Sequence, residues 1–274
     1  IFTHRKKALY RSAAFKNFLK ENQHWLPAYA LFCYRRDQYG TADFNQWETD
    51  AQFSPTSLEQ NTDPKVDHYD EIAFYYFLQY HLDLQLKEAA NYARAKGLIL
   101  KGDIPIGIYR NSVDAWMEPH LFNMNGQSGA PPDPFSATGQ NWGFPTYNWE
   151  EMAKDDYQWW QNRLKQLSTY FDAFRIDHIL GFFRIWQIPL EQVDGSLGFF
   201  NPALPIHLHE FAQRNIGFNY GRFCTPYITA EILYHQFGPA ATYVAYTFLE
   251  QLPSGEYQFK ETFNTQRKID HFLQ

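Results

Sequence analysis

Two cysteines, Cys33 and Cys224, are all that 274 residues contain, and they stand far apart. That excludes a disulfide scaffold and a zinc ribbon. No apolar run approaches the roughly 20 residues a helix needs to cross a bilayer, so no membrane partner is expected. Basic charge is not in excess. Lys and Arg number 24 against 30 Asp and Glu, a net charge of −6, which argues against a nucleic-acid surface. There is no Asn-x-Ser/Thr acceptor, and with so little cysteine this fits a cytoplasmic chain. Neither a P-loop nor a GxGxxG fingerprint occurs. The glycine-rich stretch 126–145 has no strand-to-helix turn around it to cradle phosphate. His207-Leu-His209 lacks a third ligand at metal spacing, so no metal site is expected. The first residue is Ile1 and not Met, from which we expect a processed chain or a piece of a longer one.

What is abundant is aromatic: Phe, Trp and Tyr make up 19% of the chain, within an apolar fraction of 45% typical of folded proteins. Residues 8–36 read as helical, with Pro27 dividing two helices. Residues 41–68 are polar and carry Pro55 and Pro64, which suggests a surface connection. The clearest helix spans 70–96. Asp70 and Glu71 suit its N-terminal dipole and Gly97 its stop. Its stripe of Phe74, Phe77, Leu78, His81, Leu82 and Leu86 is expected to pack in the core. A short apolar run then ends at Asp103, bounded by Gly and Pro as a buried strand would be. Residues 104–149 give little regular signal, helix returns over about 150–168, and a second strand-like run covers 171–177.

Strand, long loop, helix and strand in that order make a βα repeat. This points to an α/β fold with a parallel sheet or a (β/α)8 barrel, of which only about two strands are visible. Both strands end in aspartate, Asp103 and Asp177. In a barrel, carboxylates at the C-terminal strand ends project into the active-site mouth.

Three constellations carry chemistry. In Arg175-Ile-Asp177-His178, residues two apart on a strand share a face, so Arg175 and Asp177 point the same way. An arginine there would keep the aspartate ionised and fit to attack an anomeric carbon; a structural ion pair fits the same spacing. The loop 129–147 sets Phe135 and Trp142 beside Gln140, the flat faces and amides that a sugar site needs. An Ω-loop packed by its own aromatics would look alike. Asp103 in Gly102-Asp103-Ile-Pro105 could hold substrate hydroxyls or cap the turn after its strand.

Taken together, GDIPIG, NSVDAW, PPDPFSATGQNWGFPTY and FRIDH, in that order, resemble the 4-alpha-glucanotransferases of glycoside hydrolase family 77. The likeness is dense over 70–189 and diffuse over 8–50. It implies a (β/α)8 barrel of the TIM type with helical and loop insertions, no cofactor, and a malto-oligosaccharide or glucan as substrate. It also implies retaining transfer through a covalent glycosyl-enzyme. Asp177 matches the family's nucleophile, Arg175 the arginine that contacts it, and Asp103 an aspartate of the donor site. His178 would also touch substrate. Phe135, Gln140 and Trp142 match the loop that covers the acceptor. Pro134, Ala137 and Phe144 depart from the usual loop residues, which bears on acceptor binding and not on the reaction.

A larger departure is an absence. The family's Gly-Glu-Asp-Leu-Gly segment, which carries the acid/base, and a later His-Asp segment do not occur here. Glu231 is the one later acid inside an apolar run, and reads as a surface acid of a helix. Residues 190–274 resemble a longer branch of the family, in which an insertion separates nucleophile from acid/base. The expected organisation is a helical insertion at 1–69, a barrel segment at 70–189 and that insertion at 190–274, with the remaining strands outside this chain. Transfer by this chain alone is not expected. The rival readings are an alpha-glucan hydrolase, a glucan-binding fragment without turnover, and a structural aromatic-rich domain.

Overall fold

The structure is a computed structural model that describes residues 2–274, so Ile1 lies outside the described residues. In chain order the elements begin with helices α1 (Phe2–Arg11), α2 (Ala13–Glu21), α3 (Leu26–Tyr39), α4 (Pro55–Asn61) and α5 (Tyr69–Ala95). Strand β1 (Lys101–Ile104), helix α6 (Val113–Met117) and short strands β2 (Phe122–Asn123), β3 (Gly126–Ala130), β4 (Gln140–Asn141) and β5 (Thr146–Tyr147) follow. Next come α7 (Trp149–Ala153), α8 (Gln158–Ser168), β6 (Ala173–Ile176), β7 (Ile185–Pro189) and β8 (Phe199–Asn201). The remainder holds α9 (Leu208–Gln213), α10 (Tyr220–Cys224), α11 (Ala230–Phe237), α12 (Ala241–Phe248), β9 (Leu249–Gln251), β10 (Tyr257–Phe259) and α13 (Gln266–Leu273). Among the described residues no helix is long and apolar enough to cross a membrane.

The chain forms two compact units. The first runs to Gly126 and resumes over Gly143–Phe183; the second holds Gln127–Trp142 and Arg184–Gln274. In the first, Pro27 sits in the opening turn of α3, where its missing N–H costs nothing, so the helices divide where expected. Helix α5 matches its expected span, and Gly97 follows it at φ +73°, a left-handed turn that glycine adopts freely. The face it buries differs from the one expected. Ile72, Tyr76, Tyr80 and Asp83 turn inward, while Phe74, Leu82 and Leu86 are exposed. Helix α2 decides this: Phe15 and Phe18 press edge-on against Tyr80, with centroids at 5.2 and 5.4 Å. Phe74 and Phe77 meet Phe2 of α1 instead.

The connection at 41–68 is also more than surface. It contains α4, and its Phe44 and Trp47 are buried. Trp47, Phe32 and Phe53 close around Trp116, whose indole N–H donates to the Asp50 carbonyl at 2.8 Å. The expected helix at 150–168 is broken into α7 and α8, with Asp156 and Tyr157 in left-handed conformation between them.

Strands β1 and β6 pair in parallel, with Lys101 opposite Ala173 and Ile104 opposite Ile176. This is the α/β arrangement that the strand–helix–strand order implied. Among the described residues this sheet holds these two strands, and the other sheets are short. Asp172 fixes the register: one carboxylate oxygen accepts the Leu100 N–H at 3.1 Å and the other takes the Arg94 guanidinium at 2.7 Å.

In the second unit β4-β3-β7-β8 form a sheet. A separate core gathers Leu233, Phe248 and Leu249 with Phe263 and Ile269. Glu231 lies exposed in the first turn of α11, the surface acid it was read as. His207 is the N-cap of α9 and stacks on His209 at 5.4 Å.

Candidate active site

The register of the parallel pair builds the centre of the site. Asp103 stands opposite Arg175. Registered residues on neighbouring strands share a face at a spacing of about 4.8 Å, closer than two residues along one strand. The Arg175 guanidinium therefore reaches Asp103, Nη2 to Oδ2 at 2.6 Å, and both side chains are exposed. Intrastrand spacing had pointed that arginine at Asp177; the ladder gives it to Asp103. Asp103 is thus held from the neighbouring strand, and among the described residues it makes no bond that would cap its own turn.

Asp177 follows β6 directly, and its N–H continues the ladder to the Ile104 carbonyl at 3.2 Å. Its side chain is exposed and, among the described residues, takes no hydrogen bond or ion pair. His178 comes next at φ +51°, turning the chain sharply away, and its carbonyl accepts the Gly181 N–H at 2.9 Å. Gly181 is needed there, because a Cβ would stand 2.8 Å from Ile106. So the segments leaving both strands pack on each other. Arg163 of α8 steadies the first of them by donating to the Pro105 carbonyl at 3.1 Å and to the Tyr147 hydroxyl at 3.2 Å, with its guanidinium over Trp159 and Trp160. Asp103, Arg175, Asp177 and His178 are accordingly brought together at the C-terminal ends of one parallel pair.

The three loop residues belong to the second unit. Asp133 accepts the N–H groups of Phe135 and Ser136, both at 2.8 Å, in a tight turn. That turn raises Phe135 to its tip, where it is 97% exposed. Burying a phenylalanine is worth roughly 1.5–3 kcal/mol, which this ring forgoes. Gln140 lies in β4, and its Oε1 accepts the Trp142 indole N–H at 2.9 Å, so amide and indole are oriented as one. Gly129 of β3 admits the crossing strand, since a Cβ would meet the Gln140 carbonyl at 2.1 Å.

One residue that the motifs did not single out is Arg110. It donates to the carbonyls of Met124 at 2.6 Å and Gly143 at 3.2 Å, and also to that of Gly126. Those last two residues are the points where the chain leaves and re-enters the first unit around the 127–142 excursion. A single arginine thus ties the base of the loop. A lone basic residue in a turn has no spacing signal, so only the fold reveals it.

A family model described as 4-alpha-glucanotransferase matches residues 1–263. The chain is 49% identical over 269 residues to the 4-alpha-glucanotransferase DPE2 of Oryza sativa subsp. japonica, covering 98% of this chain and 28% of that protein. It is 36% identical over 183 residues to the 4-alpha-glucanotransferase of Chlamydia muridarum, covering 66% and 34% respectively. The chain therefore spans about a third or less of the length of these curated relatives. Among solved structures, the amylomaltase from Corynebacterium glutamicum matches with a TM-score of 0.54 at 26% identity, over 78% of this chain and 26% of that one. The amylomaltase from Streptococcus agalactiae in complex with acarbose matches with a TM-score of 0.62 at 24% identity, over 87% and 55%, a likeness of fold.

Proposed function

Because the chain belongs to the 4-alpha-glucanotransferase family, we propose that it carries the nucleophile side of a retaining glucan-transfer site. The donor is a malto-oligosaccharide or maltose and the acceptor another sugar. The observation that carries this reading is the parallel pair itself: Asp103, Arg175 and Asp177 stand at adjoining C-terminal strand ends, where α/β enzymes place their chemistry.

The steps follow from the roles. The Asp177 carboxylate attacks C1 of the donor, a C–O ester bond forms, and the glycosidic C–O bond breaks. The leaving oxygen takes a proton from a carboxylic acid that we assign to the protein beyond this chain. An acceptor hydroxyl then attacks C1, returns its proton to that same group and frees Asp177, so the configuration is retained. Arg175 holds Asp103 in place to accept donor hydroxyls, and His178 adds a contact beside the nucleophile. Phe135 and the Gln140–Trp142 pair stack on the acceptor and favour sugar over water.

We further read β1 and β6 as neighbours in a (β/α)8 barrel, with its other strands in the rest of the protein. Phe174 and Ile176 of β6 support this, being 36% and 47% exposed on a strand that has one neighbour among the described residues. Parallel strands are ordinarily covered on both faces. In this organisation 1–69 is a helical insertion, 70–189 the barrel segment and 190–274 an insertion after the nucleophile strand. We also assign the chain to the cytoplasm, which its two free cysteines support.

The test is Asp177→Asn in the full-length protein, with glucose release from maltotriose as the readout. Loss of turnover by about 1,000-fold or more is expected for a missing nucleophile. Wild-type turnover in that variant overturns the assignment. Residues 1–274 alone should give no transfer product, since we assign the second carboxyl, which a retaining site needs about 5 Å from the nucleophile, to the rest of the protein.

A further inference from the structure

In the second unit β7 runs into an irregular turn, residues 190–194. Each carbonyl from Pro189 to Val193 accepts a bond from another element of that unit. Gln127 of β3 donates through Nε2 to Pro189 and to Gln192, both at 3.1 Å. Arg267 of α13 donates through Nε to Leu190 at 2.7 Å and through Nη2 to Gln192 at 3.2 Å, and its backbone N–H reaches Glu191 at 2.9 Å. Asn141 of β4 donates to Val193 at 2.9 Å. Gln266 of α13 grips the far end: Oε1 accepts the Val193 N–H at 2.9 Å, and Nε2 donates to Asp194 Oδ2 at 3.0 Å. Water can satisfy the carbonyls of a surface turn. Here side chains do so, those of α13 from 73 to 77 residues along the chain.

The turn bears directly on the hairpin of β3 and β4. Buried Gly195 ends it, and a Cβ there would stand 2.6 Å from the Gln140 nitrogen and 2.7 Å from the Ala130 carbonyl. The Trp186 indole N–H donates to the Gly195 carbonyl at 2.8 Å and keeps it in that place. Asn141 lies between Gln140 and Trp142, and the ladder continues past it, with the Trp142 N–H on the Ser128 carbonyl at 2.9 Å. Neighbours on an extended strand face opposite ways. Anchoring Asn141 on Val193 therefore turns Gln140 and Trp142 to the other side, where the Gln140 Oε1 accepts the indole N–H.

Helix α13 has its own means of docking. Ile269 packs on the core around Leu233, and the Phe272 ring meets Phe248 and Phe263 with centroids at 5.7 and 5.1 Å. The polar grip of Gln266 and Arg267 is additional to this, and what it holds is the turn. We propose that Gln266 and Arg267 are positioning residues for the acceptor sugar: by fixing the 190–194 turn they fix Asn141, and so set the place of the Gln140–Trp142 pair. That this pair meets an acceptor rests on the function proposed above. Neither residue acts by touching sugar; each acts through the turn.

Donor and acceptor react in separate halves of a transfer through a covalent intermediate, so kcat/KM for each substrate reads its own half. The full-length protein is assayed with maltotriosyl fluoride as donor, fluoride release reading the first half, and glucose as acceptor. Arg267 is exposed, so Arg267→Met empties no core. In that variant kcat/KM for glucose should fall about tenfold and that for the donor should stay within about twofold, since misplacement by an ångström costs up to about 100-fold. Gln266→Met, which releases Val193 and Asp194, should act in the same direction. A second readout needs no turnover. With 5-fluorotryptophan incorporated, the 19F resonance of Trp142, identified with Trp142→Phe, should shift in both variants, while that of Trp116, identified with Trp116→Phe, should not. An unmoved Trp142 resonance in both variants overturns the proposal, as does an equal fall in the two half-reactions. A wild-type protein that transfers nothing, with the Trp142 shift intact, strikes the function proposed above and leaves the coupling between α13 and the loop. An active protein whose glucose kcat/KM is unchanged in both variants removes the positioning role alone.

Discussion

Arg110→Met keeps the length and most of the volume of the side chain and removes its donors. Three hydrogen bonds to backbone oxygen are lost, to Met124, Gly126 and Gly143. A bond from a charged donor is worth about 1.5–3 kcal/mol, so three at the low end sum to about 4.5 kcal/mol. Arg110 is half-buried, and water returns part of that to the freed carbonyls. The net loss should be about 3 kcal/mol, or a little over a hundredfold in a local opening equilibrium. The effect should be confined to the loop base, because Gly126 and Gly143 bracket the 127–142 excursion while β1 and β6 are held separately by Asp172. Hydrogen exchange followed by mass spectrometry on the full-length protein reads this directly. Peptides covering 124–145 should exchange faster by roughly that factor, and peptides covering β1 and α5 should not change. In the transfer assay the same variant should release more free reducing sugar per transfer event, since a loosened loop admits water. Unchanged protection over 124–145 in a folded variant would refute the clamp. Equal acceleration everywhere would show that Arg110 supports the unit as a whole.

The Leu100 N–H and the Arg94 guanidinium hold the Asp172 carboxyl below the usual aspartate range. A depressed acid stabilises the fold above its unfolded pKa of about 3.9, and that contribution is lost as pH falls through the lower folded value. Asp172→Asn should therefore lower the urea midpoint at pH 7, and the gap to wild type should close in acid; a gap constant down to the acid limb would count against the register lock. Trp116 is 2% exposed at the centre of its aromatic cluster, so Trp116→Ala should cost about 3–5 kcal/mol in denaturant unfolding. Trp116→Phe should cost about 1 kcal/mol for the bond to Asp50, and equal effects of the two would deny the packing account. A Cβ on Gly107 would stand 2.1 Å from the Phe144 ring, so Gly107→Ala should destabilise by about 1–3 kcal/mol. Adding Phe144→Leu should recover part of that loss, and strict additivity in the double variant would show that the two do not meet.

The two strands at the site were legible because each lies in or beside an apolar run bounded by turn residues, although Leu98 and Ile99 of the first run stand before β1 and are exposed; their parallel pairing followed from the helix between them. Helix α5 was legible in extent, since Asp70, Glu71 and Gly97 are local signals. Its buried face was not, because apolar side chains ring much of its surface and the choice fell to Phe15 and Phe18, more than fifty residues away. Strand β3, Gly-Gln-Ser-Gly-Ala, holds no β-branched residue; its partners make it a strand. Phe44 and Trp47 sat in a polar stretch, and only the cluster around Trp116 turns them inward.

The same limit governs the site. One strand's sequence gives the spacing between Arg175 and Asp177, but the register against a second strand decides which carboxylate the arginine meets. That register is set by Asp172, which binds Leu100 and Arg94 and contacts neither Asp103 nor Asp177. Shifting the pair by one residue would put Arg175 opposite Gly102 or Ile104 and turn its neighbours to the other face. With the register as it stands, the guanidinium is spent on Asp103, and among the described residues the Asp177 carboxylate takes no hydrogen bond or ion pair. A group that must form a covalent bond to carbon benefits from this arrangement. A bidentate arginine on the nucleophile would have to be displaced, at a cost of one or two charge-assisted hydrogen bonds, before attack. The feature that suits Asp177 to its proposed role is therefore held by a residue outside the motif that first drew attention to it.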